Sequence, residues 1–185
     1  MKILSIEHLG IAVDSIDKAA PFWRHILSIS HRTTENVIEQ GVEFVEQPFK
    51  STNLKDTAEL RKKSPLPLIA DENSLQSSDI PGIEGIFDGI NIKLMKCGSL
   101  FEALKMIKMA RDRDMKIMLG CMIESSIGIT AAAHLSPLVD YADLDGNLLI
   151  NNDPYEGVAV EDGKLILPEG NGLGISLNST DINLL

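Results

Sequence analysis

The sequence predicts an α/β protein built as an incomplete parallel (βα)8 barrel of the TIM type. Five parallel strands and four intervening helices are expected, preceded by a separate β-α unit and followed by a C-terminal hairpin. Three observations carry this reading. Five apolar runs of strand length recur roughly 22 to 28 residues apart. Amphipathic helical patterns fill the gaps between them, as parallel strands require. Each run finishes on polar side chains, which is how the C-terminal rim of such a barrel presents its chemistry.

The runs are Val42 to Val45, ending in Glu46-Gln47-Pro48; Pro67 to Ala70, ending in Asp71-Glu72; Ile90 to Leu94, with Lys93 near its end; Lys116 to Gly120, ending in Cys121-Met122-Ile123-Glu124; and Val139 to Ala142, ending in Asp143-Leu144-Asp145. The helical patterns run from Thr52 to Lys63, from a capping Ser74 to about Ile83, from Leu100 to Asp114 and from Ser125 to His134. In the third of these, Leu100, Ala103, Leu104, Ile107 and Ala110 recur at core spacing, while Lys105, Lys108, Arg111 and Arg113 mostly face water. Beyond Asp145 a turn-rich loop, Asn151 to Pro154, leads to a hairpin of Val158-Ala159-Val160 and Lys164 to Leu167. The polar tail past Gly174 is expected to be loose. Residues 1–42 stand apart, with a strand over Lys2 to Val13 and a helix from an Asp14-Ser15 cap to about Ser28.

Composition narrows the function. The chain has 185 residues, room for one sizeable core or two small domains. Its 17 Lys and Arg against 27 Asp and Glu give a formal charge of −10, which argues against nucleic acid as a partner. No apolar run approaches the length that spans a bilayer, so no membrane partner is expected. Cys97 and Cys121 are unpaired by motif and no signal-peptide pattern opens the sequence, so a reduced, cytoplasmic protein is expected.

Two resemblances then appear. Phe44-Val45-Glu46-Gln47-Pro48, Ile69-Ala70-Asp71-Glu72, Asn91-Ile92-Lys93-Leu94-Met95-Lys96, Gly120 to Ser125 with Gly128 to His134, and Asp143-Leu144-Asp145 stand in one order over residues 43–185. Together they resemble the C-terminal barrel part of the enolase superfamily, of mandelate racemase/muconate lactonizing enzyme type, and within it the L-Ala-D/L-Glu (dipeptide) epimerases. Ile6-Glu7-His8-Leu9-Gly10-Ile11-Ala12-Val13, with Pro21 to Leu27 after it, is similar instead to the first strand and helix of the vicinal-oxygen-chelate, or glyoxalase-like, family, methylmalonyl-CoA epimerases among them. That places a glyoxalase-like segment at residues 1–42 and makes His8 a weaker candidate metal ligand.

The larger resemblance implies a chemistry with residues to match: Mg²⁺-assisted removal of the proton next to a carboxylate. The charge that develops is poorly solvated by water and well stabilised by a cation held on carboxylates. Glu46 and Asp71 would hold the Mg²⁺, an ion that favours oxygen ligands. Lys93 would be the base, provided a nearby metal or second cation lowers its pKa. Asp143 and Asp145, two residues apart and on one face of an extended strand, are implied to hold the ammonium of the dipeptide. Glu124 either lines the pocket or is an acid at a helix N-terminus. Lys96 is expected at the surface or behind the site; His134 and both cysteines are expected to be packing or surface residues.

The family's Lys-x-Lys, which supplies its other base, does not precede Glu46, and the acids there sit in no Asp-x-Asn context. The expectation is therefore a dipeptide epimerase-like protein that is impaired or inactive, an isomerase if active. The alternatives are a non-catalytic fusion or deletion product acting as an interaction module, and a methylmalonyl-CoA epimerase-like activity resting on His8. Five strands alone also leave two sheet edges open, so a homo-oligomer is expected, unless the Lys2 to Val13 strand covers one edge.

Overall fold

A computed structural model of the chain describes residues 42–161 and 163–178. Five strands form one parallel sheet in the order β1-β2-β3-β4-β5: Val45–Glu46, Leu68–Ala70, Gly89–Lys93, Lys116–Gly120 and Tyr141–Ala142. Sequential neighbours pair throughout, so the sheet curls as a half barrel with every C-terminal strand end on one rim.

Alternation explains why the strands read as unbroken apolar runs. Leu68, Ala70, Ile90, Ile92, Ile117 and Leu119 turn outward into one apolar cluster with helix residues. Ile69, Gly89, Asn91, Met118 and Gly120 alternate with them and line the concave side, so both faces are buried. Asp71 continues the parity of Ile69, and Lys93 that of Asn91. The concave side thus delivers an acid and a base to the rim.

The helices cover the convex side. α1 spans Leu54–Arg61 and is capped by Asn53, whose side chain accepts from Asp56 N at 3.4 Å. Arg61 then pins it to the base of the sheet through Asp88 at 2.8 Å, and the other Asp88 oxygen accepts from Leu68 N at 2.9 Å. α2 is the single turn Ile80–Ile83, entered through a 3₁₀ turn at Ser77–Asp79. Ser74 is not its cap: the hydroxyl donates back to the carbonyls of Ala70 and Asp71, which takes it out of the helix start.

α3, Leu94–Cys97, begins directly where β3 stops, so Leu94 is helical and Gly98 closes the turn at φ 84°, a left-handed position that suits glycine. α4, Leu100–Arg111, starts on Ser99, whose Oγ accepts from Glu102 N at 3.1 Å. Its buried stripe is Ala103, Met106, Ile107 and Ala110, whereas Leu100 and Leu104 are exposed on its flank. The expectation that both leucines face the core does not hold, because the buried stripe is displaced toward Met106. α5, Ser126–Ala133, packs Ile129, Ala132 and Ala133 into the cluster.

The C-terminal region contains the expected hairpin, β7 Ala159–Glu161 with β8 Lys164–Ile166. The tail past Gly174 is not loose throughout, because β9 Ser176–Leu177 pairs antiparallel with β6 Tyr155–Glu156. Val158 N donates to the Thr130 hydroxyl at 2.9 Å, fixing this region to α5. Among the described residues no helix is long and apolar enough to cross a membrane. His8, and residues 1–41 of the segment expected to be glyoxalase-like, lie outside the described residues.

Candidate active site

The rim gathers three of the expected residues tightly. Lys93 Nζ lies 2.9 Å from Asp71 Oδ2 and 3.9 Å from Glu46 Oε1, so one ammonium touches both candidate metal carboxylates. All three side chains are largely shielded, at 14%, 11% and 15% exposure respectively. Strand ends place them: Glu46 closes β1, Asp71 follows β2, and Lys93 closes β3.

Burial pushes the Lys93 pKa down, but the hydrogen bond and charge of Asp71, then Glu46 and Glu72, outweigh it and hold the pKa above 10.5. This departs from the lowered pKa the base role calls for. The physical reason is that the carboxylates of Asp71, Glu46 and Glu72 all act on the ammonium and together exceed the effect of burial.

Lys96 was expected at the surface or behind the site. It instead reaches Asp71 Oδ1 directly from α3, because the helix begins immediately after Lys93 and turns its third residue back over the rim. Asp71 thus carries one lysine on each oxygen. Gln47 is a further residue at the rim with no role expected from the sequence. Its backbone sits at φ 36°, in the left-handed region, and its buried amide is fully occupied. Oε1 accepts from Asp71 N at 2.8 Å, while Nε2 donates to Asn73 Oδ1 at 2.7 Å and Phe49 O at 2.9 Å. The Glu-Gln-Pro tripeptide carried this signal, since a polar residue before a proline at a strand end has a backbone to hold.

Asp143 and Asp145 stand further round the same rim, beyond β5. Asp143 N donates to Leu119 O at 2.9 Å, tying that residue to the end of β4. The pair does not share a face by strand alternation: β5 stops at Ala142, and Asp145 is helical at φ −98° and ψ 0°, opening the 3₁₀ turn Gly146–Leu149. Cys121 Sγ lies 3.8 Å from Asp145 Oδ1, so the ends of β4 and β5 meet there. Burial raises the Cys121 thiol pKa, with Asp145 and Asp143 adding to it, and the group stays a thiol. Glu124 Oε1 accepts from Met122 N at 3.0 Å and braces its own loop, while Oε2 is buried without a hydrogen-bond partner. Cys97 is buried in the core, and His134 is exposed, its Nε2 3.3 Å from Leu173 O.

The donor set fits an oxygen-seeking divalent cation of the kind that takes one or two protein carboxylates and leaves its other positions to substrate and water. Glu46 and Asp71 already converge on one positive charge. Among the described residues no group of three or more His, Cys, Asp or Glu forms a metal cage, so the two-carboxylate mode is the one this rim could offer.

Comparison with known proteins agrees with this geometry. The family model described as enolase C-terminal domain-like matches residues 30–182. An L-Ala-D/L-Glu epimerase of Bacteroides thetaiotaomicron is 43% identical over 176 residues, covering 94% of this chain and 44% of that protein. A substrate-liganded complex of the L-Ala-D/L-Glu epimerase from Bacillus subtilis superposes with a TM-score of 0.70 at 31% identity, over 77% of this chain and 42% of that one. A dipeptide epimerase from Methylococcus capsulatus, complexed with Mg and the dipeptide L-Arg-D-Lys, also gives 0.70, at 37% identity, over 76% of this chain and 42% of that one. The likeness of residues 1–42 to methylmalonyl-CoA epimerases is not among these findings. The chain spans less than half the length of these relatives. With its five parallel strands, its rim of Glu46, Asp71 and Lys93, and a family match over most of its length, the chain belongs to the enolase C-terminal domain-like family.

Proposed function

We propose that this rim binds a dipeptide and exchanges the proton on the carbon next to its carboxylate, the half-reaction of a dipeptide epimerase. The observation that carries the reading is the single ammonium of Lys93 set between Glu46 and Asp71. Glu46 and Asp71 would hold Mg²⁺, which supplies positive charge to the substrate carboxylate and takes up the negative charge of its two ligands.

With the charge of those two carboxylates offset, Glu72 alone would raise the Lys93 pKa, and burial would lower it toward the range where an amine accepts a proton. Lys93 then approaches the α-carbon from one side. Lys96 keeps Asp71 oriented from its other oxygen. Asp143 and Asp145 would bind the substrate ammonium, with Glu124 holding the loop beside them. Lys93 exchanges the proton from its own face of that carbon, which incorporates solvent hydrogen without inverting the centre.

Calorimetric titration with Ala-Glu in the presence of Mg²⁺ tests the binding half of the reading. Heat that is lost in Asp71→Asn and reduced in Asp143→Asn and Asp145→Asn supports it; absence of binding by the unaltered chain overturns it. A binding-only role is the second reading. It is favoured by the closed ion-pair arrangement of Lys93, Asp71 and Lys96, which satisfies the base rather than freeing it, and it predicts binding without exchange.

A further inference from the structure

We propose that Asn91 is the positioning residue for Glu46, and that Gly120 lacks a side chain in order to seat it. This rests on the reading of Glu46 as a metal ligand. Asn91 lies at the centre of β3, on the concave side, and is 1% exposed. A position so deep in a parallel strand is normally apolar. Here the side chain is an amide whose Nδ2 donates to Glu46 Oε1 at 2.6 Å, across from β1. The opposite rotation of the amide would place oxygen against a carboxylate oxygen, so the donor orientation is the only one that bonds.

The other end of the amide shows what the arrangement costs. Asn91 Oδ1 is buried with no hydrogen-bond partner. An amide retained in a core with one end unsatisfied is held there by what its other end does, and that end holds Glu46. Gly120 completes the seat. A Cβ at Gly120 would lie 2.5 Å from Asn91 Oδ1 and 2.8 Å from Nδ2, so any larger residue on β4 displaces the amide. Gly120 and Lys93 are register partners on β4 and β3, two residues beyond Asn91, so the seat sits one layer beneath the base.

Lys93 also reaches Glu46 Oε1, at 3.9 Å. That oxygen therefore has both a neutral donor and a cation near it, and the Asn91 amide is the nearer of the two. Partners of this kind, one step behind a metal ligand, typically change metal affinity by about 10- to 100-fold when removed.

The test is Mg²⁺ affinity, measured by calorimetry well below each variant's melting transition, on the unaltered chain, Asn91→Leu, Asn91→Ser and Gly120→Ala. The unaltered chain binds Mg²⁺. Asn91→Leu keeps the branching at Cγ and removes the unsatisfied oxygen but is larger, so its melting temperature reads the packing separately while its affinity falls about 10- to 100-fold. Asn91→Ser cannot reach Glu46 and shows the same loss, which decides the matter should the leucine variant not fold. Gly120→Ala loses affinity with Asn91 intact, and adding it to Asn91→Ser, where the shorter side chain leaves room for the methyl, weakens binding no further. Affinities of Asn91→Leu and Asn91→Ser equal to that of the unaltered chain overturn the assignment of Asn91 while leaving Glu46 a ligand. No Mg²⁺ binding by the unaltered chain overturns the metal site itself, and the role of Asn91 with it.

Discussion

Lys93 and Asp71 form a 2.9 Å ion pair at the C-terminal rim, with their side chains only 14% and 11% exposed. It follows that the candidate base is stored as an ammonium and that its pairing contributes to folding.

A pH dependence of stability results. The Lys93 pKa is raised in the folded chain, so its contribution is fully present below the ordinary lysine value of 10.5 and is lost as pH rises through the higher folded value. Lys93→Met should therefore lower stability at pH 7 by roughly 1.5–3 kcal/mol, the range for a hydrogen bond to a charged group. The gap to the unaltered chain should close at the alkaline end. Urea melts at pH 7 and above pH 10.5 check this, and a gap that widens in alkali contradicts it.

Asp140 should give the mirror-image result in acid. Burial pushes its pKa up, but the amide of Ile117 at 2.8 Å and the guanidinium of Arg111 at 2.7 Å pull it down further, to a net lowered value. Its stabilisation is present above the unfolded carboxyl value and fades as pH falls through the lower folded one. Asp140→Asn should cost about 1–2 kcal/mol near neutrality and nothing once both states are protonated. Thermal melts from pH 7 down to pH 3 read the difference.

Thr130 is the point where the C-terminal segment is tied to α5. Its hydroxyl accepts from Val158 N, both residues being buried, so Thr130→Val leaves that amide unsatisfied at a cost of roughly 1–3 kcal/mol. Thr130→Ser, which keeps the acceptor, should lose less than half as much. Equal melting temperatures for the two variants would show that the bond does not matter.

The outer sides of β1 and β5 are unpaired among the described residues. Open edges recruit other strands, so light scattering on the purified chain should give a mass above that of a single copy. A compact monomer would contradict edges that recruit a second copy.

Much of this was legible in the sequence. Strand spacing and terminal polar residues gave five parallel strands with polar rim ends, and the resemblance to the enolase superfamily then singled out Glu46, Asp71 and Lys93 among them. Lys96 was not legible, since its approach to Asp71 depends on α3 starting at Leu94 with no intervening turn. Gln47 and Asn91 were hidden for a related reason: each acts through a partner more than 20 residues away, at Asp71 and Glu46, and only the register of the sheet brings those partners near. The pairing of Ser176–Leu177 with Tyr155–Glu156 escaped because neither two-residue segment has a periodicity to detect. The extended geometry expected for Asp143 and Asp145 does not hold, because β5 ends at Ala142 and Asp145 takes helical dihedrals.

Proton exchange tests the central claim most directly. The unaltered chain, Mg²⁺ and an Ala-Glu dipeptide are incubated in D₂O and followed by proton NMR. The signal of the hydrogen next to the carboxylate should disappear with retention of configuration, and it should persist in Lys93→Ala. Persistence with the unaltered chain, or equal loss with Lys93→Ala, would contradict Lys93 as the base.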